Sequence, residues 1–300
     1  PMGMMTGGLQ GTYYQFGLNL KELMEIKGIN LSVINSNGSV SNVYAVYKRP
    51  GTQLGIVQSD VLAFVAKIQS DPVLKKIAKK IRMVFPLYNE EIHLVGHNGI
   101  TSFDDLQGKT VAIGKEGSGT YLTAKLLFKV SGIEPVKMVT IGSADALNQI
   151  KNGEVDAMFY VAGYPVKLFS EQISKADNLH VVPIENKSIV DFYPKSEIPA
   201  ETYSWQAEAV NSVAVKSVLI SYNFRNAQCK NVGRFGVLLK DNLEWLKVNG
   251  HPKWNSVDLD YPLKGWEQYD CVKNRLHKTD IQPQVIQADN PILDAIKEML

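Results

Sequence analysis

The sequence predicts an α/β protein, with mostly parallel sheets covered by helices. Three observations carry this prediction. Short apolar runs of strand length alternate with segments of helical periodicity through the first two thirds of the 300 residues. Glycine and small polar residues punctuate the strand-to-helix passages. After about Gly163 the alternation stops, and a loop-rich stretch leads into a return strand and a mostly helical tail.

The elements follow in order. Residues 2–6 read as a strand, and after Gly7, Gly8 and Gly11 a helix starts at Thr12, with Tyr14, Leu18, Leu20, Leu23 and Met24 at roughly helical spacing. Residues 29–35 are a strand, and 38–48 a helix with Ser or Asn near its cap. Residues 52–58 are a strand feeding a helix from Ser59. Residues 81–88 form a strand whose pairing Pro86 should end early, and 91–97 form a separate strand. A short buried strand at 110–114 precedes a helix over 117–132, with Leu122, Leu126, Leu127 and Val130 on one stripe and Gly132 just past its end. Strand 136–141, capped helix 143–153 and strand 155–163 complete the alternation. Residues 184–206 read as loop, with prolines at 194 and 199, and 210–223 as a strand. Residues 229–250 read as a long amphipathic helical stretch stopped by Gly250 and Pro252, and 290–300 as a helix with Asn290 as cap and Pro291 first.

Composition excludes several classes. Hydrophobic residues make up 45% and charged ones 21%, ordinary globular values that allow a sizeable core. A net charge of +2, from 32 basic and 30 acidic side chains, creates no field that would attract nucleic acid or anionic lipid. No Lys/Arg face interleaves with aromatics, so no nucleic-acid partner is expected. No apolar run approaches the ~18 residues of a membrane span. No basic segment followed by an apolar signal core opens the chain, so an exported protein would have its leader outside these residues. The two cysteines, Cys229 and Cys271, fit no zinc or redox spacing. In an exported chain they could form a bridge; otherwise they are two buried thiols.

Motifs for catalysis fail one after another. The "GKT" at Gly108 lacks the glycine of a phosphate loop, since Phe103 holds its place. His93 and His97 lie on a strand, where four residues span roughly 13 Å, too far for one metal ion. The glycines at 114, 117 and 119 stand in the wrong order for a dinucleotide fingerprint, and no GxSxG elbow occurs. The expectation is a non-enzyme without cofactor or metal.

One pattern survives. Four times a strand or turn enters a helix through small polar residues: "GGLQGTYY", "NGSVSN", "VQSD" and "EGSGT". Each helix start offers unpaired backbone N–H groups and the positive end of the helix dipole. In parallel sheets such turns gather at the carboxyl edge, where ligands bind. With hydroxyls at Thr12, Ser39, Ser59, Ser118 and Thr120, the four together suit a small anion.

These segments, with "PLYNEEIHLV", "DLQGKTVAIGKEGSGT" and "GEVDAMFYVAGYP", resemble the TAXI family, solute receptors of tripartite ATP-independent periplasmic (TRAP) transporters. The resemblance runs in order from Gly7 to Pro165 and is loose in the C-terminal third. It implies a two-lobed type II periplasmic-binding-protein fold with two mixed, mostly parallel sheets and a two-crossing hinge. One lobe would comprise residues 1–91 and 207–300, the other 92–206. The implied ligand is a small organic anion, a glutamate-like amino acid or dicarboxylate, bound between the lobes by a periplasmic monomer that delivers it to a membrane-embedded TRAP permease. A ligand-sensing module of a signalling system, or an enzyme on the same fold, is the alternative. Carried over by position, one lobe would present Gly8, Thr12, Tyr13, Ser39, Asn42, Gln58, Ser59 and Tyr88, with Tyr88 equally readable as core. The other would present Ser118, Gly119, Thr120, Gly163 and Tyr164. Asp60 reads as a partner for a ligand ammonium or as a first-turn carboxylate complementing the dipole. None of the five arginines lies in these turns, so the carboxylate should be held by backbone N–H groups and hydroxyls.

Overall fold

The computed structural model describes residues 2–67 and 72–276. The chain forms two compact units. Unit 1 holds the described residues up to 9, 13–89 and those from 216 onward; unit 2 holds 10–12 and 90–215.

Unit 1 begins with β1 (Met2–Met5), α1 (Thr12–Ile26), β2 (Leu31–Ile34), α2 (Ser39–Lys48), β3 (Thr52–Gln58), α3 (Ser59–Lys67) and α4 (Pro72–Ala78). Strand β4 (Ile81–His97) then carries the chain into unit 2. There follow β5 (Thr110–Ala112), α5 (Gly119–Ser131), β6 (Lys137–Val139), α6 (Ser143–Lys151), β7 (Ala157–Ala162), α7 (Lys167–Gln172), β8 (Leu179–Val181), α8 (Lys187–Val190) and β9 (Lys195–Ile198). Strand β10 (Val210–Tyr222) returns the chain to unit 1, which ends in α9 (Asn226–Asp241), α10 (Leu243–Asn249) and α11 (Asp270–Leu276).

In unit 1 the strand order is β2-β1-β3-β10, with β1 parallel to β2 and β3, and β10 antiparallel to β3. In unit 2 the order is β4-β7-β5-β6, with β5 parallel to β6 and β7, and β4 antiparallel to β7 and β8. Each parallel segment is a strand–helix–strand crossover, as the alternation predicted.

Four expectations need correction. The predicted break at Pro86 does not occur: β4 is one strand of 17 residues, because proline's fixed φ suits extended backbone and only its missing donor weakens pairing. The long helical stretch of the tail is two helices, α9 and α10, parted at Asn242, whose φ of −117° leaves the helical range and whose amide donates to Leu238 O at 2.8 Å. The cap of α2 is neither Ser nor Asn but Gly38, at φ 119°, a backbone state that glycine adopts without strain. In α5 the buried face is Thr123, Ala124, Leu126, Leu127 and Phe128, with Leu122 and Val130 only half covered. Helices α4 and α11 were not predicted, and part of the expected loop at 184–206 is α8 and β9. The helix predicted at 290–300 lies outside the described residues.

The core of unit 1 closes around Phe16, which stacks on Trp254 at 4.1 Å and meets Tyr88 at 4.4 Å. Cys229 of α9 and Cys271 of α11 are disulfide-bonded, with Cα atoms 5.4 Å apart. This settles the alternative left open by the sequence in favour of the bridge.

Unit 2 carries two carboxylates tuned by local backbone. Asp105 Oδ2 accepts from Thr101 N and Oγ1, both at 2.8 Å, and from Ser102 N at 2.9 Å; the Thr101 amide is the main reason its pKa falls below 3.8. Asp177 is lowered chiefly by the Ser174 amide at 2.7 Å, with Lys151 at 3.2 Å adding to it. A carboxylate lowered in the folded state stabilises it above the ordinary value, and the contribution is lost as pH falls through the depressed one. Unit 2 is therefore expected to lose stability as pH drops below 3.8, the ordinary value for both groups. In thermal melts from neutral pH into acid, Asp105→Asn and Asp177→Asn should flatten that acid limb; an unchanged slope would contradict the assignment.

Candidate functional site: helix starts at the carboxyl edge of each sheet

In unit 1, β1, β2 and β3 run parallel, so the passages into α1, α2 and α3 leave from one edge. Their side chains meet there. Tyr13 Oη lies 3.3 Å from Ser39 Oγ, and Ser39 Oγ accepts from Gln58 N at 3.1 Å. Gln58 Nε2 donates to Asp60 Oδ1 at 3.1 Å, which also accepts from Val61 N at 2.9 Å. That second bond places Asp60 on the first-turn amide of α3, the dipole-complementing role. Ser59 Oγ accepts from Lys216 N at 2.9 Å.

Two predicted ligand residues of unit 1 have structural roles. Asn42 is fully buried; its amide donates to Thr6 O at 2.6 Å and Ile56 O at 2.7 Å, and its oxygen accepts from Ser36 Oγ at 2.6 Å. Both of its donors serve backbone carbonyls, so Asn42 ties strand ends together. Tyr88 is also fully buried, and its ring packs on Phe16, which selects the core reading for that ring. Gly8 is exposed, and a Cβ there would meet nothing within 4 Å, so no close approach explains that glycine.

In unit 2, β5 runs parallel to β6 and β7, and the starts of α5 and α6 share an edge with the turn after β7. Ser118 caps α5 by accepting from Tyr121 N at 3.1 Å. Gly119, buried, opens the helix, and Thr120 Oγ1 accepts from Val161 N at 3.1 Å. Gly114 takes a φ of 91°, which lets the "GKEGSG" turn reverse before the cap. Gly163 O accepts from Thr12 Oγ1 at 2.6 Å. Tyr164, half-buried, has its phenol pKa raised first by burial and then by Glu91 and Glu197.

Sequence reasoning missed two residues at this edge, Ser143 and Tyr160. Tyr160 hydrogen-bonds to the Ser143 side chain at the start of α6; burial pushes its pKa up to about 12 against that bond, and Glu90 adds to the rise. Both phenols are neutral donors at physiological pH. The signal was present in "TIGSAD", a fifth passage into a helix through small polar residues. Lys253, a buried lysine next to Trp254 in unit 1, is marked by nothing in its local sequence pattern.

The hydroxyl of Thr120 accepts a buried amide. Thr120→Ala should therefore destabilise unit 2 by about 1–3 kcal/mol, the cost of leaving Val161 N unmet. Thr120→Ser, which keeps the oxygen, should recover most of this in chemical denaturation. Equal stability of the alanine variant and the native chain would refute the bond's role.

The architecture is shared with solved proteins. The periplasmic binding protein BugD superposes with a TM-score of 0.58 at 10% identity, covering 100% of this chain and 96% of that one. A periplasmic transporter gives a TM-score of 0.55 at 14% identity, covering 83% and 87%. The substrate binding protein of an amino acid ABC transporter gives 0.50 at 14% identity, covering 82% and 96%. The fold is that of type II periplasmic binding proteins. By sequence, residues 4–229 match the NMT1-like family, and the chain belongs to it.

Proposed function

We propose that this protein is a non-enzymatic solute receptor of the periplasm that binds a small organic anion, a glutamate-like amino acid or a dicarboxylate, and delivers it to a TRAP-type membrane permease. The observation that carries this reading is the meeting of Tyr13, Ser39 and Gln58 at the sheet edge of unit 1, where three helix starts converge. Helix starts supply N–H donors and positive potential, which is what a carboxylate needs where no guanidinium is at hand. The corresponding edge of unit 2, with Ser118, Thr120 and the phenols of Tyr160 and Tyr164, supports the same chemistry. In this reading residues 1–91 with 207–300 and residues 92–206 act as two lobes, each contributing donors. Family membership and the transport roles in the names of the fold relatives agree with it. Among the described residues no helix is long and apolar enough to cross a membrane.

Native mass spectrometry of the purified protein, followed by thermal-shift screening of amino acids and dicarboxylates, tests the proposal. A true ligand at about a hundred times its Kd stabilises the folded form by about 2.7 kcal/mol. A chain stabilised only by sugars or metal cations would overturn the anion reading. Co-purification with a TRAP permease tests delivery.

A further inference from the structure

Unit 2 contains a buried chain of hydrogen bonds that the proposed function does not use. His93, on β4, has no exposed surface, and its Nδ1 lies 3.0 Å from Glu91 O. A carbonyl can only accept, so the proton sits on Nδ1. In the neutral ring Nε2 is then an acceptor, and Tyr203 Oη stands 2.9 Å from it. Tyr203 Oη in turn accepts from Val166 N at 3.0 Å. The bonds run in one sense, from Val166 N–H through the phenol to the imidazole and on to the β4 backbone. Aligned bonds in a dry site polarise one another. The rings are held as well: Tyr203 stacks on Trp205 at 5.2 Å, and both His93 and Tyr203 meet Phe169 edge-on. Burial raises the phenol's pKa strongly, so it remains a donor.

The tethered amide is the telling part. Val166 ends the segment Gly163–Val166, which also carries the proposed ligand contacts Gly163 and Tyr164. That segment follows the last residue of β7 and precedes α7; Val166 O accepts from Phe169 N and Ser170 N at the start of α7, while Val166 N, ahead of that helix, donates to the Tyr203 hydroxyl. We infer that Tyr203 and His93 are positioning residues: they lock the 163–166 turn to β4 and so set where Gly163 and Tyr164 meet a bound anion. The inference rests on the proposed receptor function, and its test separates the two.

The probes are hydrogen exchange of the full chain and calorimetry with L-glutamate, or with succinate if the screen ranks it higher. Tyr203→Phe keeps the ring stack and removes only the hydroxyl. Exchange in a peptide covering 163–168 should rise by about tenfold or more, and affinity should fall by about tenfold. His93→Leu should act the same way, whereas His93→Gln, which offers a donor and an acceptor, should restore both readouts. Ser212→Ala is the control; it removes a buried bond of 2.7 Å to Ile92 O on the same strand and should leave exchange at 163–168 and affinity within about twofold. Unchanged exchange in Tyr203→Phe would overturn the tether. Raised exchange with unchanged affinity would overturn the positioning role and leave the receptor intact. A native chain that binds none of the screened anions would overturn the receptor reading and the functional half of this inference, while the exchange contrast still decides the tether.

Discussion

Replacing Cys229 and Cys271 together by serine is expected to lower the stability of unit 1 by about 4 kcal/mol. The bridge joins residues 42 apart in sequence, and in the chain-entropy model a loop of that length removes this much freedom from the unfolded chain. The effect falls on the tail: α9 and α11 are packed side by side, and the bond ties the last described helix to the sheet-covering one. Urea denaturation followed by tryptophan fluorescence reads it, since Trp245, Trp254 and Trp266 all lie in unit 1. Adding reductant to the native chain should reproduce the shift. A midpoint that moves in neither experiment would mean that the fold does not depend on the bridge.

Trp254→Ala should be as severe, costing about 3–5 kcal/mol. The indole is fully buried, stacked on Phe16, and its Nε1 donates to Asn19 Oδ1 at 3.0 Å. The same oxygen accepts from His251 N at 2.9 Å, so α1 holds this turn of the tail by two bonds and a ring stack. Truncation to alanine empties the space beside Phe16. Trp254→Phe retains a ring for the stack and leaves Asn19 bonded to His251 N, so it should recover more than half of the loss. If the alanine variant unfolds at the native midpoint, the tail is not part of the core in solution.

Both predictions concern residues outside the polar passages that the sequence singled out, and this marks where sequence reasoning was strong and where it stopped. The parallel α/β units were legible because their signals are local: apolar spacing in 12–26 and 119–131, and glycine or small polar residues at each passage into a helix. Pro86 misled because a missing donor weakens a strand locally, while burial of the residues on either side keeps it extended. At the candidate site, the clustering of Tyr13, Ser39 and Gln58 followed from parallel order alone. Ser143 was passed over although its turn has the same composition as the four that were noticed.

By itself, then, the amino-acid order determined the strand–helix alternation, the placement of small polar residues at one end of each parallel strand, and the lack of arginine there. Only the tertiary structure decided which of those polar groups already serve the protein. Asn42 ties the backbone at Thr6 to that at Ile56, Tyr88 packs on Phe16, Thr120 answers Val161 N, and Tyr203 bridges His93 to Val166 N. The physical reason is range. Periodicity and turn chemistry act over a few neighbouring residues, whereas the partner of a buried hydroxyl or amide is chosen by segments such as 93 and 203, which are 110 positions apart and meet only once the sheet has formed.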